Sequence, residues 1–150
     1  DPEEEARLAE DAVRQAAKLV EQEKYWDAIQ KLEPAVEAAQ GKARLRARVL
    51  LARSYVKNPK WAKSAESMLL AATREEPRAI EPWALLGAFY AEKGLRTRAT
   101  AMYRKALDLN PDHEEAARYL TENAPPPEPP EDEGGGEGGG GLLGRLFRKG

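Results

Sequence analysis

Apolar and polar positions between residues 3 and 122 lack the alternation typical of β-strands, and this region is rich in helix-favouring Ala, Leu, Glu, Arg and Lys. Helix-breaking residues divide it into short segments: Gly41, 57–59, Pro77, Gly94 and Pro111. The pattern predicts helices near 3–22, 25–39, 43–57, 61–75, 79–93, 96–109 and 112–122. Because the connections are short, we expect sequential helices to pack antiparallel.

These segments form helix pairs that repeat along the chain. The third pair has the spacing W-x2-L-G-x2-Y, then A-x3-Y-x2-A, then Pro, at Trp83, Leu86, Gly87, Tyr90, Ala99, Tyr103, Ala106 and Pro111. Matching residues of the second pair stand 34 or 35 positions earlier: Leu51, Ala52, Tyr55, Ala65, Leu69, Ala72 and Pro77. The first pair keeps fewer of them: Ala16, Leu19, Ala28, Leu32 and Ala35.

Residue size explains the repeated positions. Small residues such as Ala52 and Gly87 suit a close approach of two helices, and larger ones such as Leu69 and Tyr103 fill the gaps. One pair cannot bury its apolar face alone, so about three pairs should stack, with a polar helix closing the stack. The sequence therefore predicts an all-α solenoid with a capping helix at 112–122, N-capped by Asp112.

This spacing resembles the tetratricopeptide repeat (TPR) over roughly residues 9–122, which implies a right-handed α-solenoid with repeats at about 9–42, 45–79 and 80–113 in a domain spanning 1–123. The stretches 57–77 and 94–116, with the tail ending LLGRLFRK, also resemble the C-terminal repeat region of bacterial J-domain co-chaperone proteins. The His-Pro-Asp tripeptide of a J domain is absent, so J activity is not assigned to these residues.

The TPR resemblance implies a peptide-binding groove lined by the first helix of each pair. Carried over by motif position, the candidate groove residues are Val13, Ala17, Val20, Arg46, Val49, Arg53, Lys57, Ala84 and Ala88. One TPR subclass binds a terminal carboxylate through a Lys and an Asn at two of these positions. That pair is missing from all three repeats, so we predict against that specificity.

The middle of the chain is strongly basic, because no Asp or Glu lies between Ala38 and Ala65. Eight cations do: Lys42, Arg44, Arg46, Arg48, Arg53, Lys57, Lys60 and Lys63. One interpretation is a solvated face balanced by acids on neighbouring helices, and another is a site for an acidic peptide, since the guanidinium fork binds carboxylates. Nucleic acid is not expected, because its binding surfaces are usually more basic overall and interleaved with aromatic residues.

The C-terminal residues differ from the rest in composition. Residues 124–141 are rich in Pro and Gly, which predicts a disordered linker. In the short basic tail at 142–150, the apolar residues Leu142, Leu143, Leu146 and Phe147 would share one face of a helix. The tail is either an unstructured terminus or a docking motif, with membrane-surface contact a weaker alternative. Docking in cis would occlude the groove.

Composition restricts the chemistry further. The net charge is -2. Because cysteine is absent and His113 is the only histidine, metal sites, cofactor sites and His-dependent catalysis lack candidate residues. The acidic N-terminus is unlike a targeting peptide, no apolar run could span a membrane, and we expect a cytoplasmic protein. The chain starts without Met, which we interpret as a fragment or a processed chain. Three tryptophans, Trp26, Trp61 and Trp83, are interpreted as packing residues.

The sequence therefore predicts a non-enzymatic scaffold that binds a peptide or helix in its groove, with an adaptor role in a larger co-chaperone or regulatory protein. The alternative is a structural module that stacks on other copies or on a further domain of the parent protein. The oligomeric state, the partner and the pathway are left open.

Overall fold

A computed structural model of the chain describes residues 1–131, which contain α-helices and no strand. The helices are α1 (Pro2–Glu21), α2 (Tyr25–Ala38), α3 (Gly41–Tyr55), α4 (Ala62–Glu75), α5 (Ile80–Glu92), α6 (Arg96–Leu109) and α7 (Glu114–Glu122). A single 3-10 turn, Pro59–Trp61, precedes α4. The predicted all-α fold is confirmed.

The two ends of the stack compare differently with the predicted helices. At the first end, α1 begins at Pro2, one residue before its predicted start, and Asp1 caps it by accepting a hydrogen bond from the Glu3 amide (3.1 Å). At the other end, the predicted N-cap of α7 is wrong. His113 fills that role instead of Asp112, with its Nδ1 accepting from the Ala116 amide at 3.2 Å, and the helix therefore begins at Glu114.

Consecutive helices pack against each other as the pairs α1/α2, α3/α4 and α5/α6, with α7 against α6. The short connections require neighbours to run antiparallel. One core cluster runs continuously from α1 to α6, and a smaller one lies beneath α7. The alanines expected at the close helix approaches are almost fully buried: Ala16, Ala28, Ala52, Ala65 and Ala99.

The contact between Gly87 of α5 and Tyr103 of α6 is the tightest of these approaches. A Cβ atom added at Gly87 would lie 2.9 Å from three carbons of the Tyr103 ring. The ring cannot easily move, because it is buried, its hydroxyl donates to Glu115 at 2.9 Å, and Tyr119 packs against it at 4.8 Å between centroids. In the preceding pair the corresponding residues are Ala52 and Leu69. There the residue in place of glycine is larger, and the residue in place of tyrosine is smaller.

We predict that Gly87→Ala destabilises the protein. Overpacking costs about 1–3 kcal/mol, and the better helix propensity of Ala offsets about 1 kcal/mol, which leaves a net loss of up to about 2 kcal/mol in urea unfolding. In a Tyr103→Leu background, which reproduces the Ala52–Leu69 pair, the same substitution should no longer be destabilising. An equal cost in both backgrounds would contradict this account of the contact.

Helices α1 and α5 end in the same hydrogen-bonded turn but with different residues at its left-handed position. Gly94 has φ +75° and Leu95 donates to the Tyr90 carbonyl at 2.9 Å; in the first pair, Glu23 has φ +59° and Lys24 donates to Leu19 at 2.8 Å. Both turns are Schellman motifs, which favour glycine at this position. Glu23 is therefore a site of local backbone strain.

Replacing Glu23 by Gly should stabilise the protein by about 0.5–1 kcal/mol, because relief of the left-handed strain exceeds the added entropy of the unfolded chain. Thermal unfolding measures the effect. The matched variant Gly94→Ala introduces the strain that Glu23→Gly removes, so it should lower the melting temperature. A melting temperature that is unchanged or lower in Glu23→Gly would refute the assignment.

Candidate peptide-binding groove

The first helices of the three pairs, α1, α3 and α5, border a cavity of about 490 Å³. The end of α1 and the start of α5 form its two walls, and α3 contributes one helical face at spacings of three and four residues. The lining residues of α3 are Lys42, Leu45, Arg46, Val49, Leu50 and Arg53. Val20, Val49 and Ile80 make much of the lining apolar, with charged side chains beside it.

A smaller cavity of about 110 Å³ lies between α3 and α5, above Leu69 of α4. It arises because α3 and α5 approach each other less closely than α1 and α3 do. Its lining is mostly apolar: Ala52, Val56, Leu69, Leu85, Ala88 and Phe89, with Arg53 and Glu92 at the charged positions. The cavity is well below the roughly 300 Å³ of small-molecule sites, so its size suits a single side chain.

The cations of the groove fall into two groups. Lys42 and Arg46 are exposed and have no ion-pair partner within residues 1–131. Arg53, which borders both cavities, forms an ion pair with Glu81 at the start of α5. Arg53 and Glu81 are each about half exposed, so this pair contributes little to stability. The Arg53–Glu81 pair therefore joins α3 to α5 at the point where the two cavities meet.

Two other arginines of the basic region point away from the groove. Arg44 and Arg48 both pair with Glu75 on α4, and Arg44 Nε also donates to the Ala39 carbonyl at 2.8 Å. The hydrogen bond from Arg48 holds the pKa of the Glu75 carboxyl below its usual range. Arg48 is largely buried. The interpretation of cations balanced by neighbouring acids thus describes these two residues and Arg53, but not Lys42 and Arg46.

The structure brings together five of the nine predicted groove residues. The larger cavity is lined by Ala17, Val20, Arg46, Val49 and Arg53. Ala88 lines the smaller one. Val13 and Ala84 are buried in the two core clusters, at 2% and 6% exposure. Lys57 lies outside both cavities, in the turn after α3, with its Nζ 5.4 Å from the Tyr25 ring centroid.

Several lining residues were absent from the predicted set, chiefly Lys42, Leu45, Ile80, Pro82, Leu85 and Phe89. The nine predicted residues include none from the first turn of α5, where Ile80 and Pro82 lie. Trp83 fixes that turn, because its Nε1 donates to the Pro77 carbonyl at 2.9 Å. The predicted docking motif, Leu142, Leu143, Leu146 and Phe147, lies outside the described residues.

Two tyrosines hold the groove helices against the preceding pair. Tyr55 of α3 donates to Glu33 of α2, and Tyr90 of α5 donates to Glu66 of α4, both at 2.7 Å. Burial, the bond to Glu66 and the nearby negative charge raise the pKa of Tyr90 to about 12. Burial and the Glu33 bond likewise raise the pKa of Tyr55. Each hydroxyl is thus kept neutral so that it can donate across the repeat boundary.

One of the three tryptophans is not a buried packing residue. Trp26 is 57% exposed and stacks on Trp61 with 5.6 Å between ring centroids. Trp61 is half-buried and meets the edge of Tyr55 at 5.9 Å. Trp61 therefore packs as expected, whereas Trp26 extends this aromatic cluster to the surface at the start of α2.

The helix pairs and the groove between their first helices resemble the arrangement in TPR proteins. The crystal structure of YrrB, a TPR protein with an unusual peptide-binding site, is similar, with a TM-score of 0.65 and 26% sequence identity. The match covers 73% of this chain and 55% of YrrB, so the chain spans just over half the length of that structure. No family model matches the sequence, and no curated protein does.

None of the helices within residues 1–131 combines the length and the apolar character needed to cross a bilayer. No group of three or more His, Asp or Glu side chains is arranged to hold a metal ion in this part of the chain.

We predict that Tyr90 makes stability fall at high pH. The folded-state pKa is raised from 10 to about 12, so its contribution is complete below pH 10 and is lost as the pH rises from 10 through 12. Urea unfolding of the wild type and Tyr90→Phe at pH 9 and pH 11.5 measures it. Because the two chains share every other titrating group, the wild type should lose more stability than the variant. Equal losses would contradict the prediction.

Proposed function

We propose that this module is a protein-interaction scaffold whose groove binds an acidic peptide segment. The observation that carries the proposal is Arg46, an exposed guanidinium beside an apolar lining with no ion partner in residues 1–131. Lys42, one turn earlier on α3, adds a second such cation. The similar protein YrrB has a peptide-binding site, which supports assigning peptide binding to this fold.

Arg46 would contact a carboxylate of the peptide through its planar fork of N–H donors. Arg53 would supply a second contact after exchanging Glu81 for a peptide carboxylate. This exchange costs little, because one exposed ion pair replaces another. A peptide that spans both cations would thus cover the point where the two cavities meet.

Specificity would also depend on an apolar residue of the peptide. The smaller cavity, with Leu85, Phe89 and Val56 in its wall, suits one aliphatic side chain. We therefore propose a ligand in which Asp or Glu stands within a few residues of Leu or Val. Binding of this kind needs no cofactor and no catalytic group, and it suits an adaptor part of a larger co-chaperone or regulatory protein in the cytoplasm.

Arg46→Glu should abolish selection of acidic peptides. Random 12-residue peptides displayed on phage are selected on the full chain, and wild type should enrich Asp or Glu near Leu or Val. For a selected peptide, we expect Arg46→Glu to raise the Kd at least about tenfold, which corresponds to about 1.4 kcal/mol. Lys63→Glu is the matched control, since it changes charge equally at an exposed residue outside both cavities.

A second variant tests the exchange at Arg53. Glu81→Gln removes the internal partner of Arg53, so the selected peptide should bind more tightly. The proposed function fails if wild type enriches no acidic residues. It also fails if Arg46→Glu enriches the same peptides as wild type, which is the result expected of the control Lys63→Glu.

A further inference from the structure

The open end of the stack at α1 and α2 carries an apolar cavity that no described residue covers. It has a volume of about 270 Å³ and lies between the two helices. Its apolar lining consists of Leu8, Ala9, Ala12, Pro34, Ala35 and Ala38, with Glu5 and Lys31 as the charged residues. Leu8 is 59% exposed, the highest value among the exposed large hydrophobic side chains. We call this surface the N-terminal face.

The two ends of the stack differ. At the far end, α7 packs on α6 and covers Tyr103 and Ala106, as a closing helix of a solenoid does. No equivalent element within residues 1–131 covers the N-terminal face, although solenoids need a polar cap at each end. The N-terminal face therefore requires an occupant with an apolar side.

The N-terminal face is bordered by negative charge from α1. Residues 1–12 contain six acids, of which Glu3 and Glu10 line a different cavity together with Arg7. Glu4 and Glu5 stand one helical turn before Leu8, and Glu5 lines the cavity. Lys31 is the only lining cation. An occupant with basic residues beside its apolar ones would thus complement the face in both respects.

Residues 142–149 of this chain have that composition. They contain Leu142, Leu143, Leu146 and Phe147 together with Arg145, Arg148 and Lys149, and no acid. The groove between α1, α3 and α5 is a poorer match for them, because its three cations, Lys42, Arg46 and Arg53, outnumber its two acids, Glu21 and Glu81. Charge therefore favours the N-terminal face over the groove occlusion expected from sequence.

The intervening residues are long enough. Eighteen residues, 124–141, separate α7 from the tail sequence. Chains of this composition span roughly 20–40 Å, and three steps of packed helices at about 10 Å each place α1 roughly 30 Å from α7. A tether of this kind gives an effective concentration in the millimolar range, so a weak contact is enough to populate the docked state.

We propose that residues 142–149 dock on the N-terminal face of the same chain and act as its missing cap. Leu146 and Phe147 would cover Leu8 and Ala12, with Arg145 and Arg148 beside Glu4 and Glu5. Docking there leaves the groove free for a peptide, and it prevents other copies from stacking on α1 and α2.

Paramagnetic relaxation in the full chain tests this proposal. The natural sequence has no cysteine, so Gly150→Cys gives a single site for a nitroxide spin label. In dilute ¹⁵N-labelled protein, the amides of Leu8, Ala12 and Ala38 should lose signal severalfold more than that of Val49 in the groove. The effect should weaken between 0.05 and 1 M salt as the Debye length shrinks from above 10 Å to about 3 Å.

Two variants provide controls. Leu8→Glu changes an exposed side chain and Leu146→Glu/Phe147→Glu changes only the tail, so each should keep the circular dichroism spectrum and abolish the localised signal loss. Arg46→Glu in the groove should leave that loss unchanged.

Three results would overturn the proposal. The first is signal loss centred on the groove, and the second is loss no greater at the N-terminal face than elsewhere. The third is an equal loss in a mixture of spin-labelled ¹⁴N chains with ¹⁵N chains that carry no spin label, because that loss would show association between chains. Peptide binding by the groove is measured separately, so failure here leaves the proposed function intact.

Discussion

The close approach of paired helices is the constraint on which the rest of the structure depends. At such an approach one residue must be small enough for the opposite side chain, as Gly87 is for Tyr103. Ala52 and Leu69 hold the corresponding positions of the preceding pair. Interiors are packed so densely that one methyl group is felt at such a contact. Because these contacts set the separation within each pair, they also determine how the first helices line up along the groove.

The groove follows from how the pairs are joined to one another. Tyr55 and Tyr90 bond to glutamates of the preceding pair, and these bonds fix α3 and α5 against α2 and α4. Between α3 and α5 themselves the approach is looser, which opens the smaller cavity beside Arg53. Helix α3 therefore has a packed face, with Arg44 and Arg48 against α4, and an open face that carries Arg46.

Much of this could be predicted from the sequence. The repeat spacing gave all seven helices and the small-to-large contacts, because each depends on local pattern. The charged residues of α3 were harder, since a run of cations does not say which of them meet an acid. Glu75 and Glu81 lie more than 25 residues from their arginine partners and belong to other helices. Likewise, neither the exposure of Trp26 nor the His113 cap follows from helical spacing.

The groove residues show the same limit. Motif positions identified Ala17 and Arg46, but two other positions, Val13 and Ala84, lie in the core clusters and line neither cavity. The difference arises because a motif position fixes a helix face, whereas burial depends on how closely the next helix packs. Lys57 similarly lies beyond the groove because α3 ends at Tyr55.

Binding of acidic peptides between α1, α3 and α5 can be measured by chemical-shift mapping of the full chain during titration with a Leu-containing, Asp/Glu-rich peptide. We expect saturable shifts concentrated on the amides around Val20, Arg46 to Arg53 and Ile80 to Glu81. Shifts centred instead on Trp26 and Trp61, or no saturable shifts at all, would contradict it.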